Sequence, residues 1–259
     1  MKKTILNALV IAALFPFSLF ASTDASLYEA ELPVVSQADD ERTQAVTTGF
    51  QQLLIRLTGD AQIEKKPEIK EAVSRANYFV EDFSYASPTP QSSTYTLHVR
   101  YHAVDINRLL HKLGIPYWGD ARPSILVWVA VADKNNQVEI IGDDSHGNIL
   151  ANMRQQGDKF GLSLIYPLMD VNDMDLVSAA DVTSMALPVL QKAGQRYSPN
   201  GYLIGKIAPV ANGYESEWEL IVDKNHWKWT LESKTIDDII AEAMTATSQT
   251  LAKQFRVTG

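Results

Sequence analysis

The run SILVWVAVAD at 124–133 constrains this chain more than any other stretch. Between Ser124 and Asp133 it has no charged or hydroxyl-bearing side chain. Side chains of a strand point alternately to opposite faces, so both faces here are apolar and both must be covered. That is the setting of a central strand with a layer on either side. LSLIYPL (162–168) and GYLIGKIAP (201–209) read as further buried strands. YESEWELIVD and HWKWTLES alternate around Asp223, Lys224 and Asn225, a hairpin signal. Helical patterns fall at 148–161, at 179–197, where Pro188 is expected to kink or split the helix, and at 235–255. In the last, Ile236, Ile239, Ile240, Ala243, Leu251 and Phe255 share one face. The order β-α-β-α-β-β-β-α predicts a mixed-sheet α/β domain over 124–259.

The preceding stretch has a different pattern. A strand is predicted at 27–35, followed by a helix whose Val46, Phe50, Leu53, Leu54 and Leu57 form one stripe and whose end is marked by Gly59. Its first turn contains Asp39, Asp40 and Glu41, which suit the positive end of the helix dipole. Ser36 is placed as N-cap with Asp39 three residues on, and Arg42 can pair with Asp39 one turn back. KPEIKEAVSRA predicts a short helix with Pro67 in its first turn. YFVEDFSYAS and STYTLHVRYHAV predict an antiparallel hairpin, and DINRLLHKLG a helix capped by Asp105. The resulting β-α-α-β-β-α order predicts a compact α+β domain over 26–114. IPYWGDARP (115–123), with two prolines and a glycine, is the expected connector. Tyr117 and Trp118 imply that it is packed, and they are the candidate interaction surface.

The first residues predict an export signal. Lys2 and Lys3 precede an apolar run to Phe20 that is broken by Pro16, followed by small and polar residues. The expectation is a cleaved segment at 1–25 and a periplasmic location. The alternative is an uncleaved inner-membrane anchor, for which the run is short. No later run reaches the length of a span. The chain has no cysteine, which excludes disulfides, a thiol nucleophile and a lipidated cysteine. Its formal charge of −8, without a concentrated basic face, argues against nucleic acid as a partner.

The search for chemistry returns little. Glycine-rich phosphate loops and the serine-hydrolase elbow are absent. His98 and His102 sit four apart on a predicted strand without a neighbouring glutamate, and read as surface residues. GDDSHG brings together Asp143, Asp144 and His146, the alternative site for a metal or a base; as a loop leading into a helix it needs neither. DVNDMD (170–175) lacks the oxygen ligand and the glycine of a calcium loop, and reads as helix-start acids. Trp218, Trp227 and Trp229 could stack on sugar rings, but large aromatics are mainly core material. No catalytic residue, cofactor or metal site is assigned.

Taken together, LYEAELPVVSQADDERTQAVTTGFQQLLIRLTG, ARPSILVWVAVAD, LIYPLMD, AADV, YLIGKI, WELIVD and WKWTLES resemble the exported proteobacterial family called domain of unknown function 2066. The first of them also resembles the N-terminal domain of a flagellar assembly protein of the outer membrane. The second half is similar to the TolB N-terminal domain and to the activators of penicillin-binding proteins. The resemblance implies an exported, non-catalytic binding or assembly protein whose partner is another envelope protein or assembly. The rival expectations are a periplasmic hydrolase or metal-dependent enzyme, and a binder of glycans or small molecules.

Overall fold

The structure, a computed structural model, describes residues 27–88, 93–119, 122–145 and 147–257. The predicted signal segment 1–25 and His146 lie outside them. The chain is mixed α and β, as its sequence predicts, and builds one hydrophobic core in its first module and one on each face of the sheet of its second.

In the first module, β1 (Glu29–Val34), β2 (Val80–Ala86) and β3 (Tyr95–Tyr101) form an antiparallel sheet in the order β1-β3-β2. Ala30 lies opposite Val99 and Leu32 opposite Leu97. These residues face α1 (Asp39–Thr58), α2 (Pro67–Ser74) and α3 (Ala103–Lys112) across a core of Phe50, Leu53, Leu54, Leu57, Ile69 and Ile106. Burying one such side chain contributes about 1.5–3 kcal/mol. Gly59 takes the left-handed conformation (φ 67°) that ends α1, and Arg42 pairs with Asp39 at 2.8 Å.

Two caps differ from expectation. Ala38, not Ser36, is the N-cap of α1; Glu41 reaches back from inside the helix to accept the N–H groups of Val35 (2.7 Å) and Ser36 (2.8 Å) and the Ser36 hydroxyl. The longer glutamate spans a gap that Asp39 cannot. His102 is the N-cap residue of α3, and Asp105 is inside the first turn, paired with Arg108.

The second module is three layers. A six-stranded sheet runs β10-β9-β8-β5-β6, and β7 pairs with the other half of β5's edge. The strands are β5 (Ser124–Ala132), β6 (Val138–Ile141), β7 (Ser163–Ile165), β8 (Gly201–Val210), β9 (Gly213–Val222) and β10 (Asn225–Ser233). β5 is parallel to β7 and β8, and all but its end residues are buried. Val127 and Val129 point to α4 (Asn148–Phe160) and α8 (Ile236–Gln254). Leu126, Trp128 and Ala130 point the other way, onto Val177, Val182 and Leu190. These belong to the crossover carrying α5 (Val171–Leu176), α6 (Ala179–Thr183) and α7 (Leu187–Gly194). Pro188 does split the predicted helix, and it sits in the first turn of α7.

β6 is absent from the sequence reading because its four residues lie between turn-forming segments. Gly205 faces Trp218 across the β8–β9 ladder, and a Cβ there would lie 2.4 Å from the indole. The glycine makes room for the ring.

The connector is a joint. β4 (Tyr117–Trp118) pairs with β11 (Arg256–Val257) at the far end of the chain. Trp118 is 1% exposed and belongs to the second core, while Tyr117 packs on the first. Arg122 stacks over the Trp118 ring at 4.0 Å and donates to the carbonyls of Phe160, Gly161 and Arg56, each at 2.8 Å.

Candidate functional site

The predicted site residues fall in different places. Trp118 is spent on the core, so it offers a partner no surface, and Tyr117 is half-buried beside it. Asp143 forms an ion pair with Arg154 of α4, and its N–H donates to the Pro167 carbonyl at 2.7 Å. Asp144 is exposed. His98 pairs with Glu31 at 3.1 Å, and His102, beyond the strand, begins α3. The hairpin tryptophans pack toward α8: Trp218 is buried, and Trp227 and Trp229 are partly buried against the same core. No group of three or more His, Cys, Asp or Glu side chains could hold a metal ion among the described residues, and no helix among them is long and apolar enough to cross a membrane.

The unusual geometry lies in DVNDMD, at the loop and helix that follow β7. Asp170 is the N-cap of α5 and accepts the Asp173 N–H at 3.1 Å. Both oxygens of Asp170 also take the Arg196 guanidinium, at 2.8 and 2.9 Å, a two-point carboxylate grip. Asp173 is 0% exposed. Its carboxylate accepts the Tyr197 hydroxyl at 2.5 Å, the Met169 N–H at 3.0 Å and Arg196 at 3.3 Å. Tyr197 in turn accepts the Leu168 N–H at 2.8 Å. Burial, then the adjacent carboxylate, pushes the Tyr197 hydroxyl up to about 12. Met169 takes a positive φ of 53° at this corner.

This network inverts the short helix. Apolar periodicity alone would bury Val171 and Met174, yet they are 67% and 60% exposed, with Leu168 and Leu176 exposed beside them. The buried residue of α5 is an aspartate. Polar bonds therefore hold the helix down while its apolar side chains face solvent. Asp175 of the same helix is exposed as well. A groove of about 550 Å³ runs alongside, lined by Arg154, Tyr166, Leu168 and Tyr197.

Arg196 holds Asp170 at about 2, below its ordinary 3.8. A depressed carboxylate stabilises the fold fully above its unfolded pKa and loses that contribution as pH falls through the folded one. Stability attributable to Asp170 is thus expected to be constant from pH 7 to about 5 and to fall between about pH 4 and 2. Unfolding midpoints of the protein and of Asp170→Asn across this range check it: the difference between them should shrink with acid.

Residues 21–119 match the model of a domain of unknown function, DUF8605. That stretch holds β1 to β4. The match corrects the resemblance to domain of unknown function 2066, which rested on an order of short apolar segments that many α/β chains can supply. No match was found among curated proteins or among solved structures, so the likeness of the second half to TolB and the penicillin-binding-protein activators has no support.

Proposed function

We propose that this chain is an exported, non-catalytic binding protein of the bacterial cell envelope, and that it engages a partner protein through the outward face of α5. The inverted polarity of α5 carries the reading. A helix that buries Asp173 and exposes Val171 and Met174 leaves apolar area exposed that a monomer would otherwise cover, and such patches mark interaction sites. Exposed Asp175 on the same helix suits a partner with an apolar centre and a basic edge. Export rests on the basic start, apolar run and small-residue segment at the N-terminus.

A photo-crosslinker at position 174, in protein expressed in its own envelope, is expected to give a discrete adduct. The same group at exposed Lys70 should give none, and Val171→Glu should abolish the adduct at 174. An adduct unaffected by Val171→Glu, or equal labelling from position 70, would refute the assignment. An adduct consisting of two copies of this chain would replace the envelope partner with self-association.

A further inference from the structure

A cleft of about 1320 Å³ lies between the modules and is independent of the α5 face. One wall is the exposed edge and outer face of the first sheet; the opposite wall is the turn between α4 and β7. Arg56, Arg100 and Arg122 line it together with His98. On the first sheet the charges are matched: Arg100 pairs with Glu29 at 2.9 Å and His98 with Glu31 at 3.1 Å.

Arg56 is different. Its Nη1 donates to two main-chain carbonyls of the sheet edge, Glu29 at 2.9 Å and Leu27 at 3.3 Å. Its Nε is buried without a hydrogen-bond partner, and no carboxylate lies within ion-pair distance among the described residues. Burial draws its pKa down, and Asp158 opposes this only at longer range. Buried cations are ordinarily paired, because the protein must replace the water they lose. With Nη1 committed to the backbone, the Nε and Nη2 edge is left over, and that edge matches the two oxygens of a carboxylate.

We propose that Arg56 anchors a carboxylate-binding site in this cleft. A singly charged carboxylate fits better than a phosphate dianion, since Asp82 and Asp158 also line the cleft and their repulsion grows with the charge of the ligand. The carboxylate can come from a small organic acid or from an acidic peptide. The cleft is large enough for either.

The test is calorimetric titration of the full chain with butyrate, a monocarboxylate, and with a blocked peptide of alternating glutamate and alanine, the glutamine counterpart serving as control. At least one acidic probe is expected to bind saturably and the glutamine peptide at least 10-fold more weakly. Arg56→Gln should weaken binding at least 10-fold and Arg56→Lys less, since lysine keeps the charge and loses the fork. Binding of the peptide alone assigns the carboxylate to a polypeptide; binding of butyrate, with or without the peptide, assigns a small acid. If Arg56→Gln fails to fold, the side-chain Nε–H resonance of Arg56 in the unmodified protein decides, and it should shift on saturation. No saturable binding by either probe, equal affinity in Arg56→Gln, or an unmoved resonance overturns the proposal.

Discussion

Replacing Asp173 with alanine is expected to cost about 4 kcal/mol of folding stability, the largest single effect at the α5 corner. The estimate follows from what the carboxylate leaves behind. The Met169 N–H and the Tyr197 hydroxyl lose their acceptor, and each buried donor left unsatisfied costs about 1–3 kcal/mol. Arg196 keeps Asp170 and its access to solvent, so its charge is not stranded. The missing side chain also leaves space beneath the helix. Tyr197→Phe removes the bond to Asp173 and the acceptor of the Leu168 N–H, and is expected to cost about 1–2 kcal/mol. Asp173→Asn, which retains one acceptor oxygen, should fall between the two. Urea unfolding measures all three, and a loss below about 1 kcal/mol for Asp173→Ala would show that the carboxylate does not hold this helix. Because the same network turns Val171 and Met174 outward, Asp173→Ala is also expected to reduce the crosslink at position 174. Tyr197→Phe, with most of the network intact, should largely retain it.

The sequence made the layers readable and left this corner hidden, for a physical reason. Period and composition report burial relative to an element's own axis, and they located β5, the stripe of α1 and the shared face of α8. They also identified Asp170 and its neighbours as helix-start acids, which is correct for Asp170 as a cap. The fate of Asp173 depends on Arg196 and Tyr197, more than twenty residues later, brought beside it by the crossover. Local pattern does not encode that meeting. It points the wrong way, since valine and methionine at helical spacing read as a buried face. Trp118 is the converse case. An indole beside a glycine in a proline-bounded connector looks available to a partner, yet β11 and Arg122 enclose it. Arg56 was concealed similarly: within α1 it is one polar residue among several, and only the adjacent module shows it partly buried without a carboxylate within ion-pair distance among the described residues.

Arg122→Ala is the second large expected effect, about 3 kcal/mol, the scale of one or two charge-assisted hydrogen bonds. The guanidinium joins three segments. It meets the carbonyls of Phe160 and Gly161, where the negative end of the α4 dipole favours a cation. It holds the Arg56 carbonyl near the end of α1 and lies flat on the Trp118 ring. Water in the neighbouring cleft can hydrate some of the freed carbonyls, which keeps the loss below the sum of the bonds. Arg122→Lys separates charge from shape. A lysine restores the point charge at the α4 terminus but cannot donate in three directions from a plane or stack on the indole in the same way. It is therefore expected to recover less than half of the lost stability in chemical denaturation. Full recovery by lysine would mean that the charge alone matters at this joint. Since Arg122 fixes the main chain of Arg56, Arg122→Ala should also weaken carboxylate binding in the cleft, even though Arg56 itself is unchanged.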